Sequence, residues 1–168
     1  MEAACHSCGG SGRRPMMDTI QVRIPAGVDN GSKIRVPGKG EAGVNGGPPG
    51  DLYIVTQVEP HPHFRRVGDH IYLKFPITFS EAALGTRVQV PTIHGATTVK
   101  IPPGTQSGQK IRLREKGITS LRSGSNGDMF LEIEVQTPDA RDTKARELLQ
   151  ELAAYENKGI RDHLPSGD

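Results

Sequence analysis

The chain has 168 residues, enough for one compact domain or two small ones. Its 21 basic and 19 acidic residues leave a net charge of only +2, which excludes the strong one-sided charge typical of nucleic-acid and membrane-surface binding. No apolar run approaches the roughly 18–20 residues that span a bilayer. The first ten residues also lack the apolar stretch of a secretory signal, so we predict a cytoplasmic protein.

The chain begins with a C-x-x-C motif, Cys5-His6-Ser7-Cys8. Two thiolates at this spacing form half of a tetrahedral zinc site, but the sequence contains no other cysteine for the second half. The favoured interpretation is therefore a flexible end without metal. Two alternatives stay open: a zinc site completed by His6 and a distant histidine, and a redox pair, although no strand leads into a helix here as redox motifs require.

An internal repeat organises the rest of the chain. The segment VRIPAGVDNGSKIRV, residues 22–36, reappears 77 positions later as VKIPPGTQSGQKIRL, residues 99–113. Over residues 22–59 and 99–136, 14 of 38 positions are identical without a gap. We call these segments the first and second repeat; they predict two related modules in tandem.

Both repeats have the alternating apolar pattern of half-buried strands, with Gly-containing turns between them. The predicted strands of the first module are Ile20–Ile24, Lys33–Val36 and Asp51–Val58. Those of the second module are His70–Phe75, Arg87–Thr92, Thr98–Ile101, Lys110–Leu113 and Asp128–Val135. A short helix, Ser80–Leu84, is predicted with Ser80 as its N-cap and Gly85 as its C-terminal stop.

The elements upstream of Val99 have no counterpart upstream of Val22, so the first module is expected to lack its first half. Its remaining strands would expose apolar side chains, each forgoing about 1.5–3 kcal/mol of burial. Such a face is either an aggregation hazard or a binding surface.

The C-terminal part changes character. Residues Thr143–Tyr155 predict a helix that Asp142 or Thr143 caps and Gly159 ends. Leu148, Leu149 and Leu152 form an apolar stripe on it, and a helix this short needs a partner surface. The remaining segment, Gly159–Asp168, is predicted to be a disordered tail.

No motif supports catalysis. The sequence contains no G-x-S-x-G, H-E-x-x-H or P-loop pattern. His61 and His63 alternate with prolines, which favours a surface corner over a metal or catalytic pair. A non-enzymatic protein is therefore predicted.

Several segments resemble type I DnaJ co-chaperones in the order in which that family has them. They are Cys5–Gly12 (C-x-x-C-x-G-x-G), Ile24–Val28, Gly40–Gly43, Gly50–Tyr53, His61–Phe64 and Ala82–Gly85. The resemblance implies an all-β fold: two tandem β-sandwich-like DnaJ C-terminal domains, the first lacking its initial strands, plus a C-terminal α-helix. The implied parts are a remnant of the cysteine-rich module (1–17), a partial first β domain (18–60), a second β domain (61–140), a dimerisation helix (141–158) and the tail (159–168).

The sequence also departs from the family pattern. It contains neither the J-domain with its His-Pro-Asp signature nor the Gly/Phe-rich linker, so stimulation of a DnaK-type ATPase is not expected from this chain. In the family, four C-x-x-C-x-G-x-G repeats bind two zinc ions. Only one such repeat occurs here; Cys5 and Cys8 match zinc ligands, yet we expect this chain to bind no zinc.

The resemblance also implies a function. In the family, an unfolded client segment adds as a strand to the first β domain and places an apolar side chain in a pocket, which Ile20 and Ile54 match here. Val22 and Ile24 share a face with Ile20 and extend it, the alternative being ordinary core at all four positions. The implied partners are unfolded client proteins, a DnaK-type chaperone acting through the family's J-domain, and a second copy of the chain.

Two other functions stay open. One is a structural or dimerisation module that binds no client, and the other is a small metal- or thiol-dependent redox protein centred on Cys5 and Cys8.

Overall fold

The computed structural model describes residues 17–156 and 159–163. The chain divides into two compact units, Met1–Val58 and Glu59–Asp168, here called the first and second unit. Strands dominate these residues, in which α-helix is confined to a short segment and a C-terminal helix. This confirms the predicted all-β class with a C-terminal helix. The division into five parts stays a prediction; its boundary between the β domains was placed after residue 60, close to the observed division.

The described part of the first unit contains one antiparallel ribbon. Strand β1 (Lys33–Val36) pairs with β2 (Leu52–Val55), and Ile34 lies opposite Ile54. A 3-10 turn, Val44–Gly46, lies in the loop between them. Strand β1 has its predicted bounds, whereas β2 is shorter than the predicted Asp51–Val58.

The predicted strand Ile20–Ile24 is wrong: this segment has no ladder pairing. Its counterpart 77 residues later is a strand because a neighbouring strand pairs with it. Among residues 17–58, no strand pairs with Ile20–Ile24. An alternating apolar pattern does not form a strand unless a neighbouring strand supplies partners for the backbone hydrogen bonds.

The described part of the second unit contains six strands in two sheets. In chain order they are β3 (Phe64–Val67), β4 (His70–Thr78), β5 (Thr86–Thr92), β6 (Gly95–Ile101), β7 (Lys110–Leu113) and β8 (Met129–Gln136). One sheet has the order β3-β4-β8-β7, with β4 parallel to β8, and the other is the hairpin β5-β6. Strand β3 was not predicted, because its sequence, FRRV, places two arginines side by side and so does not alternate strictly between apolar and polar residues.

The core of the second unit follows the period of two expected of half-buried strands. Along β8, Met129, Leu131 and Ile133 are fully buried, while the residues between them are partly exposed. The other buried apolar side chains come from both sheets and the short helix: Ile71, Leu73, Ile77, Ala82, Val90, Val99 and Ile101. The two sheets therefore share one apolar core.

Two helices complete the described structure. Helix α1 (Phe79–Leu84) begins directly after β4, and its N-cap is Thr78, the last residue of that strand, so the predicted cap at Ser80 is wrong. Thr78 and Glu81 form a reciprocal capping box, which places Ser80 inside the helix, and Gly85 ends it as predicted. Helix α2 (Thr143–Ala153) is capped by Asp142 and ends before the predicted limit.

The sequence repeat is also a structural repeat. Lys33 pairs with Val55 in the first unit, and Lys110 pairs with Glu132 in the second, the same register 77 residues later. Each repeat is closed by an aspartate that accepts hydrogen bonds from an arginine and from a loop N–H. Asp51 accepts from Arg35 Nε (2.6 Å) and Gly38 N (3.0 Å); Asp128 accepts from Arg112 Nε (2.8 Å) and Glu115 N (3.0 Å).

These hydrogen bonds favour the ionised aspartates. The N–H of Gly38, followed by Arg35, lowers the pKa of Asp51, and the N–H of Glu115, followed by Arg112, lowers the pKa of Asp128. Glu115 adopts a left-handed backbone (φ 58°) at the position of Gly38 (φ 67°), so the loop geometry is kept although the residue is not glycine.

Candidate functional site

The four residues predicted to bind an apolar segment lie in the first unit, and none is sealed. Ile54 in β2 is half-buried, as are Ile20 and Val22, and Ile24 is 56% exposed. Their exposure leaves room for either a partner or a further part of the fold, so their role in binding stays a prediction.

The second repeat shows what these positions do when the module is covered. The counterparts of Val22, Ile24 and Ile54 are Val99, Ile101 and Leu131, which are 7%, 0% and 0% exposed. The counterpart of Ile20 is Thr97, which is half-buried. Val22, Ile24 and Ile54 therefore occupy core positions of the module, and in the described part of the first unit that core is incompletely covered.

In the second unit, β4 and β5 pair with the strands of the repeat. Strand β8 pairs with β7 on one side and with β4 on the other, and β6 pairs with β5. In the first unit, β2 pairs with β1 alone among residues 17–58, so its second edge is unpaired there. An unpaired edge next to apolar side chains is the arrangement to which an extended peptide adds as a strand.

The opposite face of β2 is uncovered too, which sequence reasoning missed. Tyr53 and Val55 are each 59% exposed. The counterpart of Tyr53 is Phe130, which is half-buried and stacks on Tyr72 of β4 at a ring-centroid distance of 5.1 Å. The sequence did contain a signal for this exposure. The repeat aligns Tyr53 with Phe130, and no residue of the first repeat aligns with Tyr72, the aromatic partner of Phe130.

Two glycines at equivalent positions of the repeats, Gly50 and Gly127, also differ in how closely other backbone atoms approach them. A Cβ added to Gly127 would lie 2.0 Å from the carbonyl oxygen of Asp69, which immediately precedes β4. A Cβ added to Gly50 would meet nothing nearer than the carbonyl oxygen of Glu41, at 3.8 Å. The space next to Gly50 that a strand entering beside β2 would use is therefore open.

The predicted metal ligands Cys5 and Cys8 lie outside the described residues. Within residues 17–156 and 159–163, no group of three or more His, Cys, Asp or Glu side chains is placed to hold a metal ion. His61 Nδ1 accepts hydrogen bonds from the backbone N–H groups of His63 (3.1 Å) and Phe64 (3.2 Å). This geometry is that of a structural corner.

The other histidines with described contacts are engaged in a similar way. His70 Nδ1 accepts the N–H of Asp128 (2.9 Å), and His94 Nε2 lies 2.8 Å from the carbonyl oxygen of Gly117. Each of these imidazoles is thus held by backbone groups through one ring nitrogen. The expectation that this chain binds no zinc stays a prediction.

The predicted dimerisation stripe lies on α2. Leu148 is 53% exposed, Leu152 is 38% exposed and Leu149 is half-buried. Asp142 Oδ1 accepts the N–H of Ala145 (2.9 Å) at the first turn. The stripe is thus formed as predicted, but nothing in the described chain covers Leu148 or Leu152 fully.

No helix in the described residues is both long and apolar enough to cross a bilayer.

Comparison with known proteins gives a consistent result. The sequence profile of the family described as "DnaJ C terminal domain" matches residues 12–138. The chain is 51% identical over 148 residues to the "Chaperone protein DnaJ" of Parageobacillus thermoglucosidasius, covering 88% of this chain and 39% of that protein. It is 49% identical over 154 residues to the proteins of that name from Bacillus cytotoxicus and Bacillus mycoides, covering 92% of this chain and 42% of each relative. The chain thus spans about two fifths of the length of these relatives.

Proposed function

The chain belongs to the DnaJ C-terminal domain family, and we propose that it binds unfolded or misfolded polypeptides at the open edge of its first unit. The family is one of co-chaperones without catalytic activity of their own, in agreement with the predicted non-enzymatic protein. Cooperation with a DnaK-type chaperone belongs to the same proposal for any longer protein that contains this chain. A cytoplasmic location is proposed on the same basis.

The observation that carries the proposal is the contrast between the two repeats. Ile54 and Leu131 occupy the same position of the same ribbon, yet Leu131 is fully buried and Ile54 is not. A client strand added at the free edge of β2 would gain backbone hydrogen bonds whatever its sequence. It would also cover Ile54 and the neighbouring apolar side chains, which rewards apolar clients in general.

The Ile54→Asp variant tests this proposal. We expect binding of an extended apolar peptide to weaken by at least roughly tenfold, because losing one apolar contact costs about 1.5–3 kcal/mol and about 1.4 kcal/mol is tenfold in affinity. Suppression of the aggregation of a chemically denatured test protein should weaken in parallel. Fluorescence anisotropy measures the first effect and light scattering the second.

The matched control is Ile93→Asp, the same change at a side chain that is 44% exposed in the β5-β6 turn of the second unit. It should leave both activities unchanged. Hydrogen exchange of the β1-β2 ribbon reports whether Ile54→Asp has unfolded the first unit, and Ile54→Ala then provides a milder variant. Wild-type peptide binding by both Ile54→Asp and Ile54→Ala would contradict the proposed site.

A second candidate function is that of a dimerisation module, which the exposed leucines of α2 favour. Here we expect Leu148→Glu to convert dimers to monomers, because it places a charge in the stripe that a second copy would cover. Gln150→Glu, which adds the same charge beside the stripe, is the control. Sedimentation velocity over a concentration series makes the measurement; a wild-type chain that is monomeric at high concentration would contradict dimerisation.

A further inference from the structure

A groove of about 410 Å³ lies in the second unit between β6 and β7. Residues 97–100 of β6 form one wall, and residues 111–114, followed by Lys116, form the other. The groove shares no residue with Ile20, Val22, Ile24 or Ile54, and the proposed client-binding function does not use it.

Both walls of the groove are strand edges. Strand β7 is the last strand in the order β3-β4-β8-β7, and β6 pairs only with β5. Each strand therefore has one edge without a ladder partner in the described chain. Natural proteins rarely leave two such edges around one groove without covering or charging them.

The register shows which backbone groups face the groove. Ile133 N–H donates to the carbonyl oxygen of Gln109 (2.9 Å), and hydrogen-bonded pairs then recur every second residue, so the N–H and C=O of Arg112 point away from β8. In the hairpin, Thr92 and Gly95 close a two-residue turn as a hydrogen-bonded pair, so the backbone groups of Thr98 and Lys100 point away from β5. Donors and acceptors for an added strand are therefore available on both walls.

The charge of the groove is uniformly positive. Its lining contains Lys100, Arg112, Arg114 and Lys116 and no acidic residue. Arg112 is paired with Asp128, at 2.6 Å between Nη2 and Oδ2. Lys100, Arg114 and Lys116 make no ion pair within the described residues. These cations discourage pairing with another neutral or basic edge and attract an acidic one.

We propose that this groove binds an extended acidic peptide, which adds as a strand to the exposed edges of β6 and β7. Half-buried Ile111 and Leu113 also line the groove, next to buried Val99. Since side chains alternate along a strand, the best fit is a peptide in which carboxylates alternate with small apolar residues. The carboxylates then reach Lys100 and Arg114 while the apolar residues contact the aliphatic lining.

The test uses a fluorescent ten-residue peptide that alternates Glu and Val, with a Lys/Val peptide for comparison. We expect saturable anisotropy with the acidic peptide only. The double variant Lys100→Glu/Arg114→Glu should bind it about tenfold more weakly, because it removes two exposed ion pairs, each modest by itself, and adds two repulsions. The control Arg122→Glu/Arg161→Glu makes the same charge change at exposed positions away from the groove and should bind like the wild type.

A backbone readout separates strand addition from charge attraction alone. Methylating alternate amide nitrogens of the peptide removes its donors on one edge without altering the protein. Because the peptide would pair with β6 along one edge and with β7 along the other, each of the two alternate sets is expected to weaken binding strongly. The proposal is wrong if neither set of methylated amides weakens peptide binding, or if the groove variant binds the acidic peptide like the wild type. It is also wrong if Ile54→Asp abolishes binding of the acidic peptide. Wild-type hydrogen exchange in β7 of the groove variant confirms that its fold is intact.

Discussion

Replacing Gly127 by alanine is expected to destabilise the second unit by about 3 kcal/mol, since overpacking a well-packed site costs typically 1–3 kcal/mol and sometimes more. The added Cβ would lie 2.0 Å from the carbonyl oxygen and 2.6 Å from the carbonyl carbon of Asp69. Both are backbone atoms, so the start of β4 must move. That movement disturbs the hydrogen bond from Ile71 N–H to the carbonyl oxygen of Asp128 (3.0 Å), which opens the β4-β8 ladder.

The control is the equivalent change, Gly50→Ala, in the first unit. Its Cβ would have ordinary contacts only, so the expected change in stability is within about 0.5 kcal/mol. Urea denaturation followed by circular dichroism gives the two free energies, and hydrogen exchange assigns each loss to its unit. Equal costs at Gly50 and Gly127 would mean that a segment lies against Gly50 just as Asp69 lies against Gly127.

Truncation of the two equivalent core positions should also have unequal effects. Leu131→Ala removes a fully buried side chain and is expected to cost about 3 kcal/mol, within the 2–5 kcal/mol usual for such changes. Ile54→Ala removes a half-buried one and is expected to cost about 1 kcal/mol, because part of its surface already contacts water.

Hydrogen exchange of β8 and β2 provides the local measurement for this pair. Bound apolar peptide should raise the protection of β2 and increase the cost of Ile54→Ala, since the binding energy adds to the stability of the folded state. A cost at Ile54 equal to that at Leu131 without peptide would show that Ile54 is already sealed, and the client-binding proposal would then fail.

Much of the fold was predictable because the repeat and the period-two pattern are local properties. Strands Lys33–Val36 and Lys110–Leu113 have their predicted bounds, and Gly85 ends the short helix as predicted. Ser80 was the wrong cap because Thr78 and Glu81 form a capping box, a reciprocal pair that outcompetes a single hydroxyl. The segment Ile20–Ile24 has strand composition but no neighbour with which to form a ladder.

The candidate site was predictable to a smaller extent. Ile54 follows from alternation in β2 and from the repeat, but its exposure depends on whether another strand lies alongside. Tyr53 was missed because its exposure reflects the lack of any described counterpart to Tyr72. The groove between β6 and β7 joins residues that are more than ten positions apart, and no local pattern indicates that their edges face each other.

The sequence by itself determined the duplicated module and the bounds of strands Lys33–Val36 and Lys110–Leu113, since each depends on residues close together in the repeat. Only the tertiary structure decided which copies of these residues are buried. Burial depends on strands that pair from distant parts of the chain: β4 and β5 cover Leu131, Val99 and Ile101 in the second unit. The same apolar positions in the first unit lie open because no described strand fills that role, and a free edge with uncovered side chains is what makes them available for binding.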